Sequence, residues 1–291
     1  MSLPVPISPK VRRLRAGNPS VLTGTGTNTY LVGTDDLAVI DPGPDLEDHL
    51  AAILQATHGR RVSAIIVTHA HQDHSALAPR LAAATGAEVL AFGQARDGMS
   101  ARMAALGNGL GVSGEGLDLS FTPDRRLWDG DFVTGPDWEL RVLHTPGHLG
   151  GHICLALGRT LLSGDHVMGW STSIVSPPEG DMGDYMATLA RLSGEAWELA
   201  LPGHGQPITD PGARIAELAA HRRMREAQVL EKLADGAATA AALTTRIYQD
   251  IAPGLLPAAT RNVLAHLIDL ASRNLVSADP DITPCALWQR S

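Results

Sequence analysis

The sequence predicts a layered α/β domain over residues 1–220, followed by a small, mainly helical module of winged-helix type over residues 221–291. Three observations carry this reading. Strand-like β-branched runs alternate with segments of helical apolar spacing over the first two-thirds of the chain, a mixture that favours sheets stacked with helices. The last third changes to three helical stretches and a short pair of strand-like runs. Histidines and aspartates gather where strand-like runs end. Composition permits such a fold: of 291 residues 44% are hydrophobic and 19% charged, ample material for a core.

The elements follow in order. Thr29 to Val32 and Leu37 to Ile40 are expected as strands meeting at the turn Gly33-Thr34-Asp35-Asp36. Asp41-Pro42-Gly43-Pro44 stops the second strand, and Leu46 to Thr57 has helical spacing. Ala64 to Thr68 is a strand that runs into a histidine cluster. Ser75 to Ala84 reads as a helix closed by Gly86, and Glu88 to Phe92 as a further strand. From Gly93 to Gly130 the pattern weakens: a short helix is expected around Asp97 to Leu106, then glycines at 107, 109, 111, 114 and 116 read as a loop over a site. Strands resume at Phe132-Val133, Glu139 to Leu143, His152 to Leu157 and Thr160 to Ser163. Asp210-Pro211 supplies an N-cap and a first-turn proline before a long helix, Ile215 to Ala234, stopped by Gly236. Ala238 to Tyr248 and Ala258 to Asn274 are two more helices, the last with an apolar stripe of Val263, Leu264, Leu267 and Leu270. Leu275-Val276 and Ala286-Leu287-Trp288 supply two small strands.

Charge and cysteine content narrow the function classes. A net charge of −8 argues against a surface that is cationic all round for nucleic acid, although it leaves room for a local basic patch. The two cysteines, Cys154 and Cys285, have no Cys-x-x-Cys spacing, so neither a disulfide framework nor a thiolate zinc site is expected. Met1 to Ser20 has prolines and arginines but no apolar signal core. No stretch reaches the length of a membrane span. A cytoplasmic protein without a membrane partner is expected.

The chemistry centres on His69-Ala70-His71-Gln72-Asp73-His74. In an extended stretch His69 and His71 project to one side, because side chains alternate. Asp73 and His74 follow where the chain turns into a helix and can face a second point. Imidazole with carboxylate suits zinc, iron or manganese. A lone histidine in a surface loop is usually bland, but four ligand-type residues in six at a strand end leave chance little room. Three distant segments add to it: Leu143-His144-Thr145-Pro146-Gly147-His148-Leu149-Gly150-Gly151-His152, Leu162-Ser163-Gly164-Asp165-His166, and Leu201-Pro202-Gly203-His204-Gly205.

This ordered set resembles the metallo-β-lactamase superfamily over roughly residues 20–210. The resemblance implies an αβ/βα sandwich with a two-metal site on one edge. It implies that His69, His71 and His148 bind one divalent ion, that Asp73, His74 and His204 bind the other, and that Asp165 bridges them. Zinc is the expected metal, with manganese and iron also suited. Asp41 is offered as a hydrogen-bond partner for a metal-binding histidine. With two aspartates and a bridging hydroxide the site carries a net charge near roughly +1. The chemistry expected is hydrolysis, with metal-bound hydroxide attacking a carbonyl or phosphoryl centre and Asp73 orienting the nucleophile as the catalytic residue. His144 and His152 are expected to pack or hydrogen-bond beside the ligands, while His166, which follows a ligand at a strand end, could take either that role or one in the site. His49, His58, His221 and His266 are expected to face solvent or lie on helix surfaces. Leu149 stands where many relatives carry Thr or Ser, which removes a hydroxyl but no ligand.

Asn18-Pro19-Ser20, Gly26-Thr27-Asn28-Thr29-Tyr30, Gly164 to Trp170 and the terminal module are similar to the lactamase-B-like branch. That branch includes a mitochondrial endoribonuclease and fungal thioesterases that release polyketides from carrier proteins. Two substrate classes follow: an ester or acyl thioester, small or carrier-bound, and single-stranded RNA. The acidic balance favours the acyl substrate. The commonest zinc β-lactamases carry a cysteine where this chain has Asp165, so β-lactamase or lactonase activity ranks lower. A non-catalytic scaffold ranks lower still, since all seven ligand positions are filled. Trp170 to Asp181 is expected to line the pocket, Tyr185 to pack, and the terminal module to serve as lid, pocket wall or contact with a second copy of the chain. Gly24-Thr25-Gly26 lacks the rest of a dinucleotide fingerprint and reads as turn chemistry.

Overall fold

The computed structural model describes residues 3–111 and 116–291; Gly114, counted above, lies outside the described residues. The chain begins with β1 (Val5–Ser8), β2 (Val11–Arg15), β3 (Asn28–Val32) and β4 (Asp36–Ile40), then α1 (Glu47–Thr57), β5 (Arg61–Ile66), α2 (Gln72–Ser75), α3 (Ala78–Thr85), β6 (Glu88–Ala91), α4 (Ala101–Leu110) and β7 (Arg125–Arg126). These strands form one sheet in chain order, antiparallel from β1 to β4 and parallel from β4 to β7. A second sheet holds β8 (Phe132–Thr134), β9 (Glu139–His144), β10 (Ile153–Leu157), β11 (Thr160–Gly164) and, after α5 (Met182–Leu192), β12 (Leu199–Pro202). Its order is β12-β11-β10-β9-β8, antiparallel except for the β11–β12 pair.

Alternation of side chains along each strand builds four layers. Tyr30, Val32, Ala38, Ile40, Ala64 and Ile66 meet Leu140, Val142, Ile153 and Leu155 between the sheets. The intervening Leu31, Val39 and Ile65 face Ile53, Leu77 and Leu81 of the helical layer outside. On the far side Leu143, Cys154, Leu161 and Ala200 pack against Tyr185, Leu189 and Leu192 of α5 and against Ile215 and Leu218 of α6 (Pro211–Ala234). A sheet covered on both faces buries both sides of its strands, and β3 is buried at all five positions, its polar Asn28 and Thr29 included. The expected αβ/βα sandwich is the observed one.

The terminal module holds α7 (Ala240–Ile247), a 3₁₀ turn at Pro253–Leu255, α8 (Leu256–Ser272) and the antiparallel pair β13 (Val276–Asp279) and β14 (Leu287–Arg290). Its core joins Val229 and Leu233 of α6 to Leu243, Val263, Leu267, Ile268 and Trp288, together with Met103 and Leu110 of α4. The helix α6 is thus shared, its first half packed on the sandwich and its second in the module.

Several local expectations change. The helix expected at 75–84 is α3, which starts later, at Ala78, because Pro79 opens a new helical turn, and is closed by Gly86 as expected; the short α2 precedes it. The helix expected near 97–106 begins later, at Ala101, where Ser100 accepts from the Met103 N–H; two of its side chains enter the module core, so it is no mere surface loop. Strands β1 and β2 arise from a stretch in which the prolines and arginines gave no strand pattern. His49 and His266 are buried at 3% and 2% exposure rather than solvent-facing, while His58 is exposed. Among the described residues no helix is long and apolar enough to cross a membrane.

Candidate metal centre

The loops that leave β5, β9, β11 and β12 carry His69 and His71, His148, Asp165 and His204, while α2 carries Asp73 and His74. The fold brings all seven together. His71 Nδ1 lies 3.0 Å from His69 Nε2 and 3.1 Å from His148 Nε2. Nearby, His74 Nε2 lies 3.3 Å from His204 Nε2 and 3.4 Å from Asp73 Oδ2, and His204 Nε2 lies 3.2 Å from Asp73 Oδ2. Asp165 stands between the two groups: its Oδ2 is 3.3 Å from His204 Nε2 and 3.9 Å from His148 Nε2, and its Oδ1 is 3.6 Å from His74 Nε2.

Three of the rings are turned by partners outside the ligand set. Thr68 Oγ1 donates to Asp41 Oδ2 at 2.9 Å and so accepts from His69 Nδ1 at 3.0 Å, which leaves His69 Nε2 bare. His148 Nδ1 donates to the Ile174 carbonyl at 2.6 Å, leaving its Nε2 bare as well. His74 Nδ1 donates to Asp41 Oδ2 at 2.9 Å, which turns its Nε2 inward. Such contacts fix the tautomer and raise the basicity of a ligand nitrogen. Asp41 itself sits at φ 50°, a left-handed conformation costly for a residue with a Cβ. Its carboxylate also accepts the Thr68 N–H, and its carbonyl accepts from Thr29 Oγ1 at 2.7 Å. Sequence reasoning had offered Asp41; it missed Thr68, the Ile174 carbonyl and Thr27, whose Oγ1 donates to Asp73 Oδ2 at 3.1 Å. His152, fully buried, accepts the Asp165 N–H on Nε2 at 3.2 Å and donates from Nδ1 to Thr145 Oγ1 at 2.8 Å, holding the backbone of Asp165. His144 stacks on Phe92 and donates to the Gly150 carbonyl. Tyr185 is packing, as expected, with its hydroxyl on the His166 carbonyl. His166 is fully buried behind Asp165 and is not among the ligand-type residues that converge.

The electrostatics divide the cluster. Burial holds His69 well below the ordinary histidine range, lowers His71 to about 3 and lowers His148, so these are neutral imidazoles. His71 Nδ1 lies about 3 Å from both His69 Nε2 and His148 Nε2, near the edge of about 3.4 Å expected of a tetrahedron with bonds of ~2.1 Å. Around His74 and His204 burial opposes charge, but the carboxylates outweigh it: Asp73, Asp165 and Asp41 raise His74 well above its usual range, and Asp165 leads in raising His204 to about 9. Burial likewise opposes ionisation of Asp165 and Asp73, yet His204 and His74 hold both well below the usual carboxylate range. This group therefore demands positive charge. The buried Asp165 Oδ1 has no hydrogen-bond partner among the described residues. A Cβ on Gly203 would meet Asp165 Oδ1 and lie 2.6 Å from His74 Cε1, so the backbone there passes too close for any side chain. The donor set fits divalent metal: His69, His71 and His148 form one group that could hold an ion, and Asp73, His74 and His204 another.

The centre opens into a cavity of about 780 Å³, floored by His71, Asp73, His148, Asp165 and His204. Its walls are Ser20–Thr23, the stretch that includes Trp170, Ser171, Thr172 and Ile174, and residues of α6, α8 and the α7–α8 connection. The expected pocket segment 170–181 thus contributes its first half; Ser173 turns inward, donating to backbone carbonyls of Asp165 and His166. His221, on the surface of α6, is half-buried and lines the cavity.

Residues 22–204 match the family model of the metallo-beta-lactamase superfamily, and residues 239–288 match that of the beta-lactamase associated winged helix domain. An atrochrysone carboxyl ACP thioesterase of Aspergillus chevalieri is 30% identical over 78% of this chain and 67% of its own. A beta-lactamase-like protein 2 homolog of Drosophila melanogaster is 30% identical over 91% of this chain and 88% of its own. The crystal structure of a beta-lactamase domain protein from Burkholderia ambifaria superposes with a TM-score of 0.82 at 25% identity, covering 99% of this chain and 93% of the other.

Proposed function

The chain belongs to the metallo-β-lactamase superfamily, and on that premise we propose that this metal-dependent hydrolase cleaves acyl thioesters at a binuclear centre. The observation that carries the proposal is the convergence of seven ligand-type side chains, five of which floor one cavity. His69, His71 and His148 would hold one ion, Asp73, His74 and His204 the second, with Asp165 shared. Zinc suits the imidazole-rich first group. When bound, two divalent ions polarise a carbonyl oxygen and bring a water's pKa close to neutrality.

The protein's own groups do the rest. Asp73 is the more exposed of the two carboxylates, with a side chain 27% exposed against 11% for Asp165, and it faces the cavity. Held by Thr27, it is the group placed to orient an attacking water. Trp170, Ile174 and Ile251 give the cavity apolar surface for an acyl chain. A thioester is favoured over other esters by the ACP thioesterase among the relatives, and a carrier-bound or small acyl substrate fits a cavity walled by the terminal module.

The test combines metal analysis with turnover. Two metal ions per chain are expected, and metal-loaded protein is expected to hydrolyse acyl thioesters faster than lactones or unstructured RNA. Asp73→Ala should be slower by about 10²- to 10⁴-fold and serves as the control for contamination. Cleavage of RNA alone would replace this substrate with the phosphodiester alternative, and metal-free, inactive protein after reconstitution would remove the centre itself.

A further inference from the structure

The same cavity has a cationic wall. His221, Arg222 and Arg225 of α6 all line it. Arg222 is 1% exposed; its Nη1 donates to Asn262 Oδ1 at 3.2 Å, its Nη2 to the Ser173 carbonyl, and its guanidinium lies over Tyr185. Arg225 lies 4.2 Å from the Tyr248 ring centroid and donates from Nη1 to Gln228 Oε1 at 2.9 Å. Both Nε atoms and His221 Nδ1 are buried without a hydrogen-bond partner among the described residues.

These guanidiniums have no counter-ion within salt-bridge distance among the described residues. The neighbouring carboxylates are committed elsewhere: Glu217 to Arg214, and Glu226 and Asp269 to Arg273. Asp250 also lines the cavity but makes no ion pair with either arginine. Burial, reinforced by Arg222, Arg225 and Arg214, holds His221 down to about 4, so it is a neutral hydrogen-bonding group. Uncompensated cations in a partly dry wall are costly, and removing the cost takes a negative charge. The planar guanidinium stacked on Tyr248 is preorganised for paired hydrogen bonds to an oxyanion.

We propose that Arg225, supported by Arg222 and His221, forms an anion subsite that binds a phosphate or carboxylate carried by the substrate away from its scissile carbonyl. The substrate in this statement rests on the thioesterase reading; the subsite does not. Two sources supply such an anion: a phosphate on the thiol-side arm, as in coenzyme A or a carrier-protein arm, or a carboxylate on the acyl side.

Three thioesters separate them: butyryl-coenzyme A, with phosphates on the thiol side; glutaryl-N-acetylcysteamine, with a carboxylate on the acyl side; and neutral butyryl-N-acetylcysteamine. The measured quantity is kcat/KM for each anionic thioester divided by that for the neutral one, in metal-loaded protein. Arg225→Gln should lower one of these ratios about 10- to 100-fold through KM, with partial recovery in Arg225→Lys. The ratio that falls identifies the source of the anion; unchanged ratios overturn the proposal. Calorimetric titration with 4′-phosphopantothenol and with glutarate tests the subsite even if no thioester is cleaved. Weaker binding in Arg225→Gln supports it, and equal binding in both proteins overturns it. An Arg225-dependent affinity confined to oligouridylate would overturn the acyl-substrate assignment and make the wall an RNA contact.

Discussion

Thr27 stands in a glycine-rich stretch that reads as turn chemistry, yet its hydroxyl accepts from Asn18 Nδ2 at 2.9 Å and donates to Asp73 Oδ2 at 3.1 Å. Partners of this kind are worth about 10- to 100-fold in activity or metal affinity. Thr27→Val is therefore expected to lower kcat by about 10-fold with a smaller change in KM, and Thr27→Ser to restore it; a Thr27→Val enzyme of unchanged kcat would reduce this contact to packing. Gly203→Ala acts by sterics. Its methyl group would press on Asp165 and His74, so metal content should fall below two per chain while far-UV circular dichroism stays native. Full metal occupancy in that variant would show that the ligands can shift to admit it. Which residues were legible follows from their chemistry. The seven ligand candidates announce themselves as histidines and aspartates at strand ends. Thr27, Thr68 and the Ile174 carbonyl do not, because a hydroxyl or a peptide group is informative only once the fold places it beside a partner, 46 positions away for Thr27 and 26 for Ile174.

Helices read from periodicity can be right in extent and wrong in which side chains they bury. His49 on α1 is inside: its Nε2 donates to Thr29 Oγ1 at 2.8 Å, beneath the strained Asp41. His266 on α8 is inside too, with neither ring nitrogen partnered among the described residues. Burial lowers His49 to about 4 and His266 to about 3, the latter reinforced by Arg222. Unfolded, both titrate near about 6.5. Above that pH they are neutral in both states and the shifts have no effect. Below it the unfolded chain takes up protons that the folded one refuses, so stability falls as pH drops toward the folded values, by at most about 1.4 kcal/mol per pH unit for each group. His266→Leu should therefore gain about 1 kcal/mol or more on wild type between pH 7 and pH 5 in urea unfolding. Parallel pH profiles for the two proteins would contradict the assignment. The strands missed at the N-terminus have a related cause. Arg13 of β2 is only 6% exposed, because its Nη1 donates to the Gly205 carbonyl at 3.0 Å and to Gln206 Oε1 at 3.1 Å beside His204. A buried arginine spoils the apolar alternation by which a strand is recognised, and it is buried here to hold a loop of the metal centre.

At the scale of the whole molecule, Asn262 is one of the side chains that tie the terminal module to the metal centre. Asn262 of α8 presents Oδ1 to the Val175 N–H at 2.9 Å and to Arg222 Nη1 at 3.2 Å, and its Nδ2 donates within its own helix. The residue before Val175 is Ile174, whose carbonyl turns the ring of His148. The module thus anchors the loop that aims a ligand of the first metal group, as well as walling the cavity. Replacing Asn262 by Leu leaves a buried N–H and a buried guanidinium without their acceptor, a loss of about 1–3 kcal/mol for each unsatisfied group. The expected outcome is a lower melting temperature together with weaker metal binding at the His69, His71 and His148 group, read by competition with a chelator of known affinity. Asn262→Asp keeps an acceptor for both donors and should recover metal affinity more than Asn262→Leu does. If the module were only a lid, Asn262→Leu would raise KM and leave metal affinity at the wild-type value; a ligand-positioning role requires the affinity to move.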